Sequence, residues 1–137
     1  EYLLEKGIVL DAQGLVRRGA LGTLQTDGSI DHRVLEQITA LKLNDEEAEA
    51  LCGGIDVTSL RRLGVPEVIL TLGSRGAVIL SGDEATRVEA VPVEGPVDPT
   101  GAGDSFLVAY AVDRLRGATP AEAGRAASRF VSTLIAR

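Results

Sequence analysis

Val97-Asp98-Pro99-Thr100-Gly101-Ala102-Gly103-Asp104-Ser105-Phe106 is the stretch that decides how this chain is read. Seven consecutive apolar residues, Phe106 to Val112, follow its acid, and helical character continues to Leu115. The glycines are therefore expected at a helix N-terminus. The first backbone N–H groups of a helix have no partner within it, and the helix dipole is positive there, so such an end attracts anions. Glycine lets an anion come close to the backbone. An acid in the first turn can then accept a proton from a hydroxyl held beside that anion. Phosphoryl transfer to an alcohol needs both features. The four residues Gly101 to Asp104 are also compatible with a tight turn in which Asp104 only complements the dipole.

The longer string resembles the C-terminal signature of the PfkB (ribokinase-like) family of carbohydrate and nucleoside kinases. That signature has the form Asp-x-Thr-Gly-Ala-Gly-Asp, then a hydroxyl residue and Phe. Asp98, Thr100, Gly101, Ala102, Gly103, Asp104, Ser105 and Phe106 all fit it. The resemblance implies ATP as donor and Mg²⁺ at the phosphates. It makes Asp104 the general base, Gly101, Ala102 and Gly103 the anion hole, and Thr100 a nucleotide contact. Many relatives hold a monovalent cation beside the anion hole, so the resemblance also implies K⁺ at Asp98. Asp98 can equally serve to stiffen the turn before Pro99.

Composition sets limits. The 137 residues suit one domain, and 45% hydrophobic content supports a packed core. Aromatics are few, so that core must be aliphatic. The net charge of −6, with no basic cluster larger than Arg17-Arg18 or Arg61-Arg62, disfavours nucleic-acid binding. No apolar run is long enough to span a membrane, and no signal peptide is recognisable. Cys52, the single cysteine, cannot form an internal disulfide and reads as a small core residue. A reducing cytoplasm is the expected compartment. His32 has no second histidine or cysteine partner, so zinc chemistry is not expected.

Along the chain, Ile8 to Asp11 reads as a short buried strand. Its terminal acid would lie at the carboxyl edge, where open α/β sheets place ligands. A loop at Gln13 to Arg17, a turn at Asp27-Gly28 and a short helix from Val34 to Ile38 follow, then a strand from Ala40 to Leu43. A helix opens at Asn44 and runs to about Leu51, with Gly53-Gly54 to end it. Asp56 is placed to cap a helix from Val57 to Leu63. Glu67 to Thr71 is a strand. Gly73 to Gly76 turns the chain into Ala77 to Leu80, and Ser81 to Glu84 turns it again into a strand from Thr86 to Val91. Thr119, Pro120 and Glu122 form the start of a last helix, with a capping box. Its expected apolar face is Ala126, Ala127, Phe130, Val131, Leu134 and Ile135. This order indicates a three-layer α/β/α sheet with an added small β-hairpin. With the resemblance, it is a ribokinase-like sheet, residues 1–137 forming a single nucleotide-binding and catalytic part.

Two further constellations carry chemistry. Asn44-x-x-Glu47 has capping-box spacing, Asn at the cap and Glu three residues on. The family has an Asn-x-x-Glu motif in this context, associated with magnesium and phosphate, and the two roles are compatible. Thr71-Leu72-Gly73-Ser74-Arg75-Gly76 is an ordinary glycine turn by composition. It also resembles the family's Thr-x-Gly-x-x-Gly turn, which implies nucleotide contacts at Thr71, Gly73 and Gly76, with Arg75 left as a surface residue. The resemblance further implies an adenine pocket between the hairpin and the last helix, with Ala126, Ala127 and Phe130 near its border. There is no Walker-type loop, no Gly-x-Gly-x-x-Gly after a strand and no Gly-x-Ser-x-Gly elbow.

The family's members are much longer than this chain, and the chain does not begin with methionine. The expectation is therefore the C-terminal half of an ATP-dependent kinase acting on a sugar, polyol or nucleoside hydroxyl. The acceptor site would lie in an N-terminal substrate and lid part, and the isolated chain would be inactive. A homodimer or a complementing N-terminal half are the expected protein partners. The competing reading is a non-catalytic nucleotide-binding or interaction module that keeps the fold.

Overall fold

The computed structural model of the chain describes residues 9–12, 35–93, 95 and 101–135. Among these residues five strands form one sheet in the order β1 (Val9–Asp11), β2 (Ala40–Asn44), β3 (Glu67–Thr71), β4 (Ala77–Ser81) and β5 (Glu84–Val88). β1, β2 and β3 run parallel; β4 and β5 return antiparallel. Among the described residues four helices accompany them: α1 (Asp45–Cys52), α2 (Val57–Arg61), α3 (Ala102–Leu115) and α4 (Pro120–Ile135).

Alternation along the strands splits the core in two. Leu41, Leu43, Val68 and Leu70 point to one face, where they pack with Ala48 of α1 and Leu60 of α2. Ala40, Ile69, Ala77, Ile79 and Val88 point to the other and meet Phe106 and Tyr110 of α3 and Ala123 and Ala127 of α4. Each face needs its own helical layer, so the three-layer architecture follows. β2 and β3 are central and almost wholly buried, which parallel strands require. Truncating a residue such as Ile69, 0% exposed, to alanine would cost about 2–5 kcal/mol.

Local signals set most of the boundaries. Asn44 and Glu47 form a reciprocal capping box at α1, which Gly53 ends in a left-handed conformation. Asp56 caps α2 through the Ser59 N–H. Thr119 and Glu122 form the capping box of α4.

Three expectations need correction. α2 ends at Arg61 rather than Leu63, because the N–H groups of Arg62, Leu63 and Gly64 bond three residues back and tighten the final turn. β5 begins at Glu84 and ends at Val88, since Ser81 pairs with Glu84 across a two-residue turn. α4 buries Ala123, Gly124 and Ala127, while Phe130 and Leu134 are 47% and 46% exposed. Small residues let α4 approach β4 and β5 closely, and the larger apolar side chains are left outside.

The expected short helix is seen only from Leu35, whose carbonyl accepts from the Ile38 N–H. Ile8, the loop at 13–17, the turn at 27–28, His32, Val34 and Pro99 lie outside the described residues.

Candidate active site

The carboxyl ends of β1, β2 and β3 fall at Asp11, Asn44 and Thr71. Register pairs Asp11 with Lys42 and Asn44 with Thr71. Strand alternation puts Asp11, Lys42, Asn44 and Thr71 on the sheet face that carries α3 and α4.

α3 begins at that edge. Gly101, its N-cap, has φ +76° and no side chain to cap the first N–H groups of the helix. Space around it is open, so its left-handed backbone, rather than crowding, calls for glycine there. Gly103 is different. A Cβ at this position would stand 2.6 Å from Lys42 Nζ, so the lysine ammonium lies against the backbone of the first turn. Asp104 follows, exposed, in the same turn. Further along α3, Phe106, Tyr110 and Arg114 form its buried stripe, with the Phe106 and Tyr110 rings stacked at 6.4 Å.

Lys42 is the residue that sequence reading missed. Its ammonium pairs with Asp11 Oδ2 at 3.3 Å, and only 7% of its side chain is exposed. A signal existed: Lys42 is the one charged residue in Ala40-Leu41-Lys42-Leu43, a strand otherwise fit for full burial. Burial of the buried pair Glu67 and Arg114 was also missed. Desolvation opposes the Arg114 charge, but the hydrogen bond and charge of Glu67 outweigh it and raise its proton affinity.

At α1, Asn44 Oδ1 accepts from the Glu47 N–H and Glu47 Oε1 accepts from the Asn44 N–H, both at 2.8 Å. Glu47 is buried. The Thr71 hydroxyl donates to the Leu43 carbonyl at 3.5 Å, at the limit of a hydrogen bond. Gly73–Arg75 is a single 3₁₀ turn closed by Gly76. A side chain on Gly76 would run into the Val88 carbonyl, so β5 alone demands glycine there. Arg75, surface-exposed, bonds Asp45 at 3.1 Å and ties this turn to the start of α1.

Near the region expected for adenine, α4 is tied to the chain just after β5. Ser128 Oγ donates to the Glu89 carbonyl at 3.1 Å, and Ala127 is fully buried in the core. Ala127 therefore packs the fold, while Ala126 is half-buried and Phe130 exposed. Asp98 and Thr100 lie outside the described residues. Among the described residues no three His, Cys, Asp or Glu side chains converge on a metal-sized site. No helix among them is long and apolar enough to cross a membrane.

A glycine-opened helix set over the carboxyl ends of parallel strands is an arrangement in which α/β proteins commonly bind ligands. The family model of the pfkB family carbohydrate kinases matches residues 22–137, and the chain belongs to that family. It is 37% identical over 94 residues to a nucleoside kinase of Methanothermobacter thermautotrophicus, covering 67% of this chain and 30% of the relative. Among solved structures, a Burkholderia thailandensis nucleoside kinase in complex with ADP-inosine superposes with TM-score 0.74 at 32% identity. That match covers 94% of this chain and 39% of the other. Arabidopsis thaliana ribokinase complexed with ribose and ATP gives 0.75 at 27% identity, covering 93% and 40%. The chain spans about a third of the length of the curated relatives it matches. The ribokinase-like fold expected from the sequence is the fold observed.

Proposed function

We propose that this chain carries the nucleotide-binding and catalytic-base part of a kinase that moves the γ-phosphoryl group of ATP to a hydroxyl of a sugar, polyol or nucleoside. One observation carries the reading: Gly101 opens α3 without a side-chain cap, and Asp104 stands exposed in the same first turn. Asp104 takes the proton of the acceptor hydroxyl. The acceptor oxygen forms a bond to the γ-phosphorus as the bond to the β-phosphate oxygen breaks, and ADP leaves. The N–H groups of Gly101, Ala102 and Gly103 face the charge that gathers on the transferring oxygens. Donors of this kind are worth about 2.7–4 kcal/mol in comparable sites, and a positioned base about 10²–10⁴-fold.

Thr71, Gly73, Gly76 and Thr100 are assigned to the nucleotide, and Asp98 to a monovalent cation such as K⁺. Glu47 suits Mg²⁺ through water: one of its oxygens is committed to the cap, and magnesium keeps several waters while bound to phosphates. Magnesium would neutralise phosphate charge during transfer.

We assign the acceptor pocket to sequence outside these 137 residues, either in the same polypeptide or in a complementing one; homodimerisation is the other assembly consistent with that need. ATP use and a lone cysteine fit the reducing cytoplasm.

The test is Asp104→Asn in the complete enzyme that carries this chain, with ribose, inositol and inosine as acceptors. ADP release should fall by about 10²–10⁴-fold while Mg·ATP affinity is kept. Turnover equal to the unmodified enzyme would remove Asp104 from the mechanism. Turnover absent before any substitution, with ATP still bound, would favour a binding module.

A further inference from the structure

We infer that Lys42, positioned by Asp11, is the cation that contacts the terminal phosphoryl group at the start of α3. The inference rests on the phosphoryl-transfer reading above and adds a residue to it.

The placement is costly without an anion. Lys42 sits on a sheet face whose neighbours in the core are Ala40 and Ile69, and its side chain is 7% exposed. Removing an ammonium from water is expensive, and an ion pair with one carboxylate often recovers no more than an apolar side chain of similar size would. The ammonium also lies at the positive end of a helix, where the dipole repels a cation. Gly103 leaves it room to do so; any side chain there would displace it.

An arriving phosphate reverses each of these terms. It satisfies the helix N–H groups and attracts the lysine at the same time. An ammonium has three donors, so Lys42 can hold Asp11 and a phosphoryl oxygen together. Asp11 lies opposite Lys42 in the β1–β2 register, which keeps the long side chain aimed along the sheet edge. Asp11 acts through Lys42 and is a positioning residue.

The terminal phosphate distinguishes ATP from ADP, so the readout is the ratio of their affinities. In the complete enzyme that carries this chain, Mg·ATP should bind more tightly than Mg·ADP. Lys42→Met should lose about 10–100-fold in Mg·ATP affinity, with Mg·ADP nearly unchanged. Lys42→Arg should recover most of the preference, and Asp11→Asn should reduce it. A folded Lys42→Met chain with an unchanged ratio overturns the inference alone. A complete enzyme that binds no Mg·ATP before substitution overturns the phosphoryl-transfer reading and this inference with it.

Where Lys42→Met does not fold, slow acetylation of the unmodified complete enzyme decides. Lys42 and Lys6 are the only lysines in these 137 residues, so the Lys42 peptide is identified by mass. Mg·ATP should protect Lys42 more than Mg·ADP does. Equal protection overturns the inference.

Discussion

Glu67 Oε1 and Arg114 Nη2 meet at 3.0 Å, with 1% and 9% of their side chains exposed. Arg114 Nε donates to the same carboxylate, and Nη1 donates to the Ala118 carbonyl at 2.9 Å. One guanidinium thus fastens α3 to β3 and to the turn before α4. Glu67→Ala would strand that charge in the interior and should cost about 3–5 kcal/mol in urea unfolding. Replacing both residues by methionine should recover most of the loss, because the pair itself repays little more than its desolvation.

Gly76 and Gly101 both have positive φ, +92° and +76°. Alanine at Gly101 meets only backbone strain, of about 1–2 kcal/mol. Alanine at Gly76, with φ +92° and ψ −143°, meets greater strain and the Val88 carbonyl besides. Thermal unfolding should therefore rank Gly76→Ala as clearly the less stable of the two.

Two exposed caps set an acid limit. Hydrogen bonds from Ser59 hold Asp56 below its ordinary 3.8, and those from Thr119 hold Glu122 below its ordinary 4.5. A carboxylate depressed in the folded state stabilises it fully above the ordinary value and loses that contribution as pH falls through the depressed one. The urea midpoint should be insensitive to these groups at neutral pH and decline in the acid range. Asp56→Asn combined with Glu122→Gln should flatten that acid limb. An unchanged acid limb in the double variant would show that the caps do not carry it.

Burial, then the charge of Asp56, push the Cys52 thiol up to about 11. Thiolate is the reactive form, so iodoacetamide labelling of the native chain should be slow at neutral pH and climb about tenfold per pH unit towards that value. Asp56→Asn removes the neighbouring charge and should speed labelling at fixed pH.

Much of this architecture could be read from short stretches. A cap and its partner lie three residues apart, as at Asn44 and Glu47 or Thr119 and Glu122, so each helix start is written locally. The signature is local too: Gly101 to Asp104 and the apolar run after it foretell where α3 begins and ends. The contacts of Lys42 with Gly103 and of Glu67 with Arg114 join residues from strands and a helix far apart in the chain. They depend on register and on which sheet face α3 covers, and no window of sequence contains both. The face of α4 was misjudged for a related reason. Apolarity marks Phe130 and Leu134, but the closeness of approach to β4 and β5 is set by Ala123, Gly124 and Ala127. Similarly, the end of α2 depends on three-residue hydrogen bonds that composition does not reveal.

The change of strand direction after β3 bears on the order of assembly. β3, β4 and β5 zip together through two tight reversals, and such nearby pairings form fast. β1 pairs with β2 across a far longer separation in sequence, at an entropic cost the hairpins avoid. The meander is thus the expected nucleus, and the Asp11 to Lys42 bond, spanning 31 positions, joins late. The chemistry at the strand ends would then be completed only in the last stage of folding, after the scaffold beneath it is rigid.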